Sequence, residues 1–306
     1  MVRCHQKLGQ LKEASVLLST LKTMKLSREQ EGDVDQLIET IKRAAAVAAA
    51  VAAPGEDISG EEKEQSFSSD ALQIAESDSQ GRYVVAGRNV KVGETLLSEK
   101  PFAAIPYSKQ FGTHCQTCLK RTETFLVCPR CTTTVFCSQG CLEEASDTFH
   151  PHECQINGLL EVLGCSQISR LAVRMMVQHP AKYYLRQSKN EYYGKIQSLV
   201  GNNSYRWEED RKKRAFLVGC LVRMLKCSCT SRYFDGLSTQ DEQLLASVLL
   251  RNLEILQFNA HEIYEVVRNG TPLIPNKSLG IGLGIYSMAS YFNHSCHGGV
   301  ARYRDM

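Results

Sequence analysis

The sequence predicts an α+β protein organised around a metal-binding segment, and three observations carry that prediction. Cysteines between Cys115 and Cys154 fall in close pairs, short strand-like pieces precede them from Gly81, and helical periodicity dominates the stretch that follows. A packed core has no reason to space cysteines in such a rhythm.

The central segment reads Cys115-x2-Cys118, Cys128-x2-Cys131, Cys137-x3-Cys141 and His150-x3-Cys154. That makes eight ligands in four close pairs, enough for two tetrahedral zinc ions. A pair two or three residues apart can bite one ion only across a tight turn, and Pro129, Gly140 and Pro151 stand within or beside three of the four pairs. The apolar pieces between them, Leu126-Val127 and Val135-Phe136, are too small to make a core, so metal binding supplies the folding free energy of this segment. In a cross-braced order the first pair shares an ion with the third. The expected sets are then Cys115, Cys118, Cys137 and Cys141 on one zinc, and Cys128, Cys131, His150 and Cys154 on the other. His152 is an alternative to His150, with the poorer bite toward Cys154. Disulfides are the competing reading; the chain opens without a secretory signal, and thiolates in a reducing compartment bind metal.

This pattern resembles the MYND finger, including the run Phe136-Cys137-Ser138-Gln139-Gly140-Cys141 and the closing His150-x3-Cys154. Phe149 stands where a tryptophan is common. The resemblance implies protein partners, among them proline-containing peptides docking on the finger.

Composition narrows the remaining classes. At 306 residues the chain has room for several domains, and a net charge of +3 with scattered Lys and Arg argues against direct nucleic-acid binding. No apolar run approaches the ~18 residues of a membrane span. Seven of the thirteen cysteines lie in the finger, and the others, scattered, read as reduced thiols. Nucleus and cytoplasm are the expected compartments.

In chain order, residues 1–53 carry a helical segment. Leu8-Gly9-Gln10 with Leu17-Leu18 is similar to a helix of a tetratricopeptide (TPR) unit, and a second helix runs from Ser27 to Ala53 before Pro54. Residues 54–75 read as an acidic linker, with Gly60-Glu61-Glu62-Lys63-Glu64 at its centre. Within 76–114, Tyr83-Val84-Val85-Ala86 and Thr95-Leu96-Leu97-Ser98 are strand-like and joined by a turn at Val92-Gly93-Glu94. The finger occupies 115–154 and a helical insert 155–256. In the insert, Ile168, Leu171, Ala172, Met175 and Met176 repeat at helix spacing, and Thr239 to Glu242 reads as a capping box ahead of Leu245, Val248, Leu249 and Leu253. The run Arg211-Lys212-Lys213-Arg214 reads as a solvated helix face. Residues 257–306 form the last unit. Its glycines Gly280, Gly282 and Gly284 lack the spacing of a dinucleotide motif.

Two stretches extend the resemblance to about residue 81 through the end. Gly81-Arg82-Tyr83 through Glu99-Lys100-Pro101-Phe102 resembles the opening strands of a SET domain split by an inserted finger, although that family favours a second glycine at Tyr83. Asn293-His294-Ser295-Cys296 is similar to the SET signature, and Gln257-Phe258-Asn259 to a strand lining its methyl-donor pocket. Resemblance to the SET and MYND family implies a small β-rich SET core split by the finger and the insert. The implied function is S-adenosylmethionine-dependent protein-lysine N-methylation of histone or other proteins. It further implies that Asn293 and His294 hold the donor, with Ser290 and Phe292 beside them and Gly81, Arg82, Tyr83, Phe258 and Asn259 lining the pocket. A tyrosine beyond the signature, followed by a further zinc cluster, completes the lysine channel in that family. Here His297-Gly298-Gly299 replaces the usual Pro-Asn, Tyr303 lies too near the signature, and the chain ends at Met306. The expectation is therefore a member cut at its carboxyl end, with no catalytic residue assigned; the alternative is a zinc-dependent interaction scaffold without chemistry.

Overall fold

The computed structural model describes residues 67–131, 133–185, 192–228, 231–267 and 277–303. The expected TPR-like helices of residues 1–53 lie outside them.

Strand pairing begins at Phe67, inside the stretch expected to be linker as far as residue 75. Strand β1 (Phe67–Ser68) pairs with β4 (Leu97–Ser98), and β2 (Leu72–Ser77) pairs antiparallel with β3 (Gly81–Ala86). The turn closing the second hairpin needs a left-handed residue, and Gly81 supplies it at φ +66°. Tyr83–Ala86 is thus a strand as expected, but its partner is β2 and not the Thr95–Ser98 piece. The apolar-polar alternation of Leu72-Gln73-Ile74 was the available signal. The turn at Gly93 exists, and Arg88 ties it to β2's approach through ion pairs to Asp70 (2.6 Å) and Glu94 (2.7 Å).

Strand β5 (Ala103–Pro106) leads into the finger, which holds β6 (Leu126–Val127), β7 (Val135–Phe136), α1 (Gln139–Asp147) and α2 (His150–Glu153). The insert follows as α3 (Asn157–Val162), α4 (Gln167–Val177), α5 (Ala181–Leu185), α6 (Tyr192–Gln197), α7 (Glu208–Cys227) and α8 (Thr239–Asn259). The chain then returns in β8 (Ala260–Val267) and β9 (Lys277–Ile285). An antiparallel sheet of order β5-β9-β8 results, so the strand before the finger pairs with the last strand.

The insert is built on α4, whose residues Ser169 to Val177 are all buried, and on α8 packed beside it. Leu171, Met175, Met176, Leu245, Leu249 and Leu253 share one core with Phe102, Ile105 and Ile285 of the sheet region. Burying side chains of this size contributes roughly 1.5–3 kcal/mol each. Two details differ from expectation. The capping box of α8 is Ser238 with Asp241, one residue upstream of Thr239 and Glu242, because Ser238 is the last extended residue (ψ 159°). Gln257-Phe258-Asn259 is the last turn of α8 and not a strand. The apolar period continues through Leu256, and the Asn259 amide donates back to the Ile255 carbonyl at 2.7 Å. On α7 the lysines of the basic run are exposed, Lys212 paired to Glu208 and Lys213 to Glu209 one turn earlier, whereas Arg214 turns inward to the Leu253 carbonyl and Gln257 of α8. No described helix is long and apolar enough to cross a membrane.

Gly282 shows why the glycine-rich strand is glycine-rich. A Cβ there would stand 2.3 Å from the Ile105 carbonyl oxygen and 2.6 Å from Leu119 Cδ2, so β5 and the finger both press on bare backbone. Gly282→Ala should therefore destabilise the protein by about 1–3 kcal/mol, measured as a lowered thermal midpoint.

Candidate zinc centres and the signature loop

The finger assembles its ligands from short local devices. Backbone N–H groups of Cys115 and Gln116 bond the carbonyls of Lys120 and Val135, and Leu119 turns through a left-handed conformation (φ 58°) to close the first knuckle. The Arg130 N–H points at Cys128 Sγ (3.3 Å). Ser138 caps α1 by accepting from Cys141 N, which fixes Cys137 and Cys141 on either side of the cap. In α2, Cys154 N donates to His150 O, so the two ligands share one helical face a turn apart.

Two four-residue clusters result. Cys115, Cys118, Cys137 and Cys141 form one, and Cys128, Cys131, His150 and Cys154 the other, with ligand atoms in each within 4.8 Å of one another. The pairs interleave, first with third and second with fourth. Tetrahedral zinc at about 2.3 Å from sulfur places ligand atoms roughly 3.6–3.8 Å apart. The distances here are 3.5 Å for Cys118 to Cys137, 3.6 Å for Cys137 to Cys141, 3.8 Å for Cys128 to Cys154, and 3.7 Å from Cys131 Sγ to His150 Nε2. The donor set fits closed, structural zinc and leaves no open position for a substrate. His152 is directed elsewhere, with Nδ1 at 3.0 Å from Ser231 Oγ and its ring edge-on to Tyr233.

Without an ion the crowded thiols compete for protons. A hydrogen bond from Cys118 holds Cys115 down at about 4 and pushes Cys118 itself up; Cys154 does the same for Cys131, which falls to about 3. Sulfurs this close resist ionising together, and a divalent ion is what lets every one be a thiolate.

The finger is locked to the sheet and the insert by charges that sequence reading did not single out. Arg174 of α4 and Glu153 of α2, each 4% exposed, meet in a two-pronged pair at 2.7 Å on both arms. Arg174 also donates to the carbonyls of Ala104 and Gln116 and lies 3.4 Å over the Phe149 ring. Nothing local marked it out, since α4 carries two arginines, Arg170 and Arg174, and both are buried. On the other side Glu265 of β8 receives Arg121 and buried His114; burial pushes its carboxyl up, but the Arg121 guanidinium holds it below the usual carboxylate range.

The residues expected around a methyl donor are only partly brought together. Arg82 of β3 donates to the Ser198 carbonyl (2.6 Å) and stacks 5.0 Å over Tyr291, in the one-turn helix Ala289–Tyr291 that precedes the signature. Asn293 reaches Gln80 beside Gly81 (3.5 Å), and His294 lies 3.5 Å from Cys296; both are exposed. Ser290 bonds the Tyr286 carbonyl (2.6 Å) and lies 3.5 Å from the Asn259 carbonyl. Tyr83 and Phe292 are half-buried. Phe258 faces away into another neighbourhood, half exposed under the Arg206 guanidinium, and the Asn259 amide is spent on the Val200 and Ile255 carbonyls.

A finger with two interleaved four-ligand clusters, threaded between two strands of one sheet, defines a MYND-type zinc-finger protein, and the MYND finger pattern matches residues 115–154. Its relatives extend the likeness beyond the finger. A mouse protein named Protein-lysine N-methyltransferase SMYD4 is 26% identical over 96% of this chain and 48% of its own length. The Arabidopsis thaliana protein named Histone-lysine N-methyltransferase ASHR1 is 23% identical over 74% of this chain and 42% of its own. A Dictyostelium discoideum SET and MYND domain-containing protein is 28% identical over 28% of this chain. The chain thus carries a MYND finger and is similar along most of its length to SET and MYND domain proteins, and it spans about half the length of the first of these relatives.

Two outcomes follow from this geometry. The double variant Cys115→Ser/Cys141→Ser should lose one zinc and keep the other in native mass spectrometry, because both residues serve the same ion; sequential pairing would lose both. Arg174→Met, which strands Glu153 as a buried charge, should cost about 3–5 kcal/mol in urea unfolding, with much of that recovered by adding Glu153→Leu.

Proposed function

We propose that this chain is the finger-bearing portion of an S-adenosylmethionine-dependent protein-lysine N-methyltransferase acting on histone or other proteins. The observation that carries the reading is the meeting of Arg82 and Gln80 with Tyr291 and Asn293, residues separated in sequence by the whole finger and insert. That meeting leaves Asn293 and His294 exposed, with Asn293 reaching Gln80 next to the bare backbone of Gly81, where an added Cβ would touch nothing within 4 Å. Polar side chains next to bare backbone suit a ligand with both adenosyl and amino-acid groups. The donor, when bound, supplies an electrophilic methyl group. The chain's own contribution is placement: Asn293 and His294 hold the polar ends, Ser290 and Phe292 shape the loop, and the lysine amine meets the methyl carbon in line. The two zinc ions, on Cys115, Cys118, Cys137, Cys141 and on Cys128, Cys131, His150, Cys154, serve folding and not the transfer. The nucleus and cytoplasm, where thiolates stay reduced and bind metal, are the compartments that suit such a finger.

A second reading, an interaction scaffold, is favoured by Phe125, Leu126 and Val127, which expose 48%, 39% and 53% of their surface on the finger hairpin. That ridge suits a proline-containing peptide. Radiolabelled methyl transfer to protein substrates supports the enzyme; two bound zinc ions with no donor binding by calorimetry support the scaffold. For the enzyme, Asn293→Ala should weaken donor binding roughly tenfold or more while zinc content stays unchanged.

A further inference from the structure

Glu99 lies in the connection between β4 and β5, far in sequence from the signature, yet its carboxylate holds the loop that leads into it. Oε1 accepts from the backbone N–H groups of Ser287 (2.8 Å) and Met288 (3.0 Å) and from the Ser287 hydroxyl (2.9 Å), and Oε2 accepts from Ala289 N–H (2.9 Å). The Tyr192 hydroxyl of the insert lies 3.1 Å from the same Oε1 and 3.2 Å from the Lys100 carbonyl, and shares its one proton between them. Three consecutive peptide N–H groups therefore converge on one carboxyl group. The one-turn helix they open, Ala289–Tyr291, has no side-chain cap of its own at Met288. Ser287 is buried at 1% exposure, so water cannot stand in for the carboxylate there. Immediately after this turn come Phe292, Asn293 and His294.

We propose that Glu99 is the positioning residue of the donor-binding loop: its clasp on residues 287–289 sets the backbone path that presents Ser290, Phe292, Asn293 and His294 to S-adenosylmethionine. The inference rests on the donor-binding reading given above and adds to it the residue that organises the loop. A carboxylate suits the task because it only accepts, and its two oxygens take the three peptide N–H groups and the Ser287 hydroxyl through charge-assisted bonds. Glutamine would turn its NH2 group toward the Ala289 N–H and lose that arm. Through Tyr192 the same carboxylate ties the loop to the helical insert.

The test compares the wild-type chain with Glu99→Gln, Glu99→Ala and Tyr192→Phe, using titration calorimetry with S-adenosylmethionine, amide hydrogen exchange over residues 286–294, zinc content and the thermal midpoint. We expect donor affinity to fall roughly tenfold for Glu99→Gln, further for Glu99→Ala, and two- to fivefold for Tyr192→Phe. Exchange at 287–289 should quicken in the same order, with both zinc ions retained. A lowered midpoint with unchanged affinity would mean a purely structural contact and overturn the proposal, as would unchanged exchange at 287–289. If the wild-type chain binds no donor, the methyltransferase reading fails and the proposal with it. If it binds and the Glu99 variants bind as tightly, the proposal alone is wrong.

Discussion

Everything in this fold converges on one guanidinium. Arg174 is buried where the finger, the β5 strand and the first long helix of the insert meet, and it bonds each of them: Glu153 and Gln116 in the finger, Ala104 in the strand, while its own backbone belongs to α4. A charge this deep is tolerated only when every arm is answered, and the geometry answers them. The consequence is directional. Apolar surfaces slide past one another at small cost, whereas a guanidinium with fixed acceptors admits one register. The finger is therefore not a bead tethered to the rest but a part fitted to it, with Glu153 standing between the ligands His150 and Cys154.

That placement joins metal chemistry to packing. The finger has little apolar content of its own; its large buried rings are Phe136, edge-on to His150 at 5.7 Å, and Phe149. Two ions supply what a core cannot, and they orient Glu153, Phe149 and Leu119 toward neighbours outside the finger. Leu119 fits over Gly282, and Phe149 lies under Arg174. Sheet geometry thus depends on the finger's having closed correctly, although no ligand belongs to the sheet.

Much of this was readable from residues alone, and the division follows from range. The ligand pairs were legible because a two- or three-residue spacing is itself the geometry, and the interleaved order follows once four such pairs alternate. Helix α4 was legible from its period. By contrast, Ala260 begins a strand only because Asn259 completes a helical turn against Ile255, a choice between neighbours that a motif match to Gln257-Phe258-Asn259 could not register. The partners of β3 and β4 were hidden for a related reason: β2 and β1 lie in a polar stretch whose composition reads as linker, and pairing there is decided by backbone hydrogen bonds. Glu99 and Arg174 were invisible as functional residues, since nothing local marks a carboxylate whose donors lie far along the chain.

The glycine-rich strand carries one more implication. Because β9 inserts between β5 and β8, Ala103 must wait for Ile285, and the finger and the entire insert are made before that pairing can occur. Contacts so distant form late and leave an unpaired β5 edge during synthesis. A finger that folds first, on metal, would shield that edge until its partner emerges. Cellular zinc supply would then govern the yield of properly assembled chains on the ribosome, upstream of any effect on chemistry.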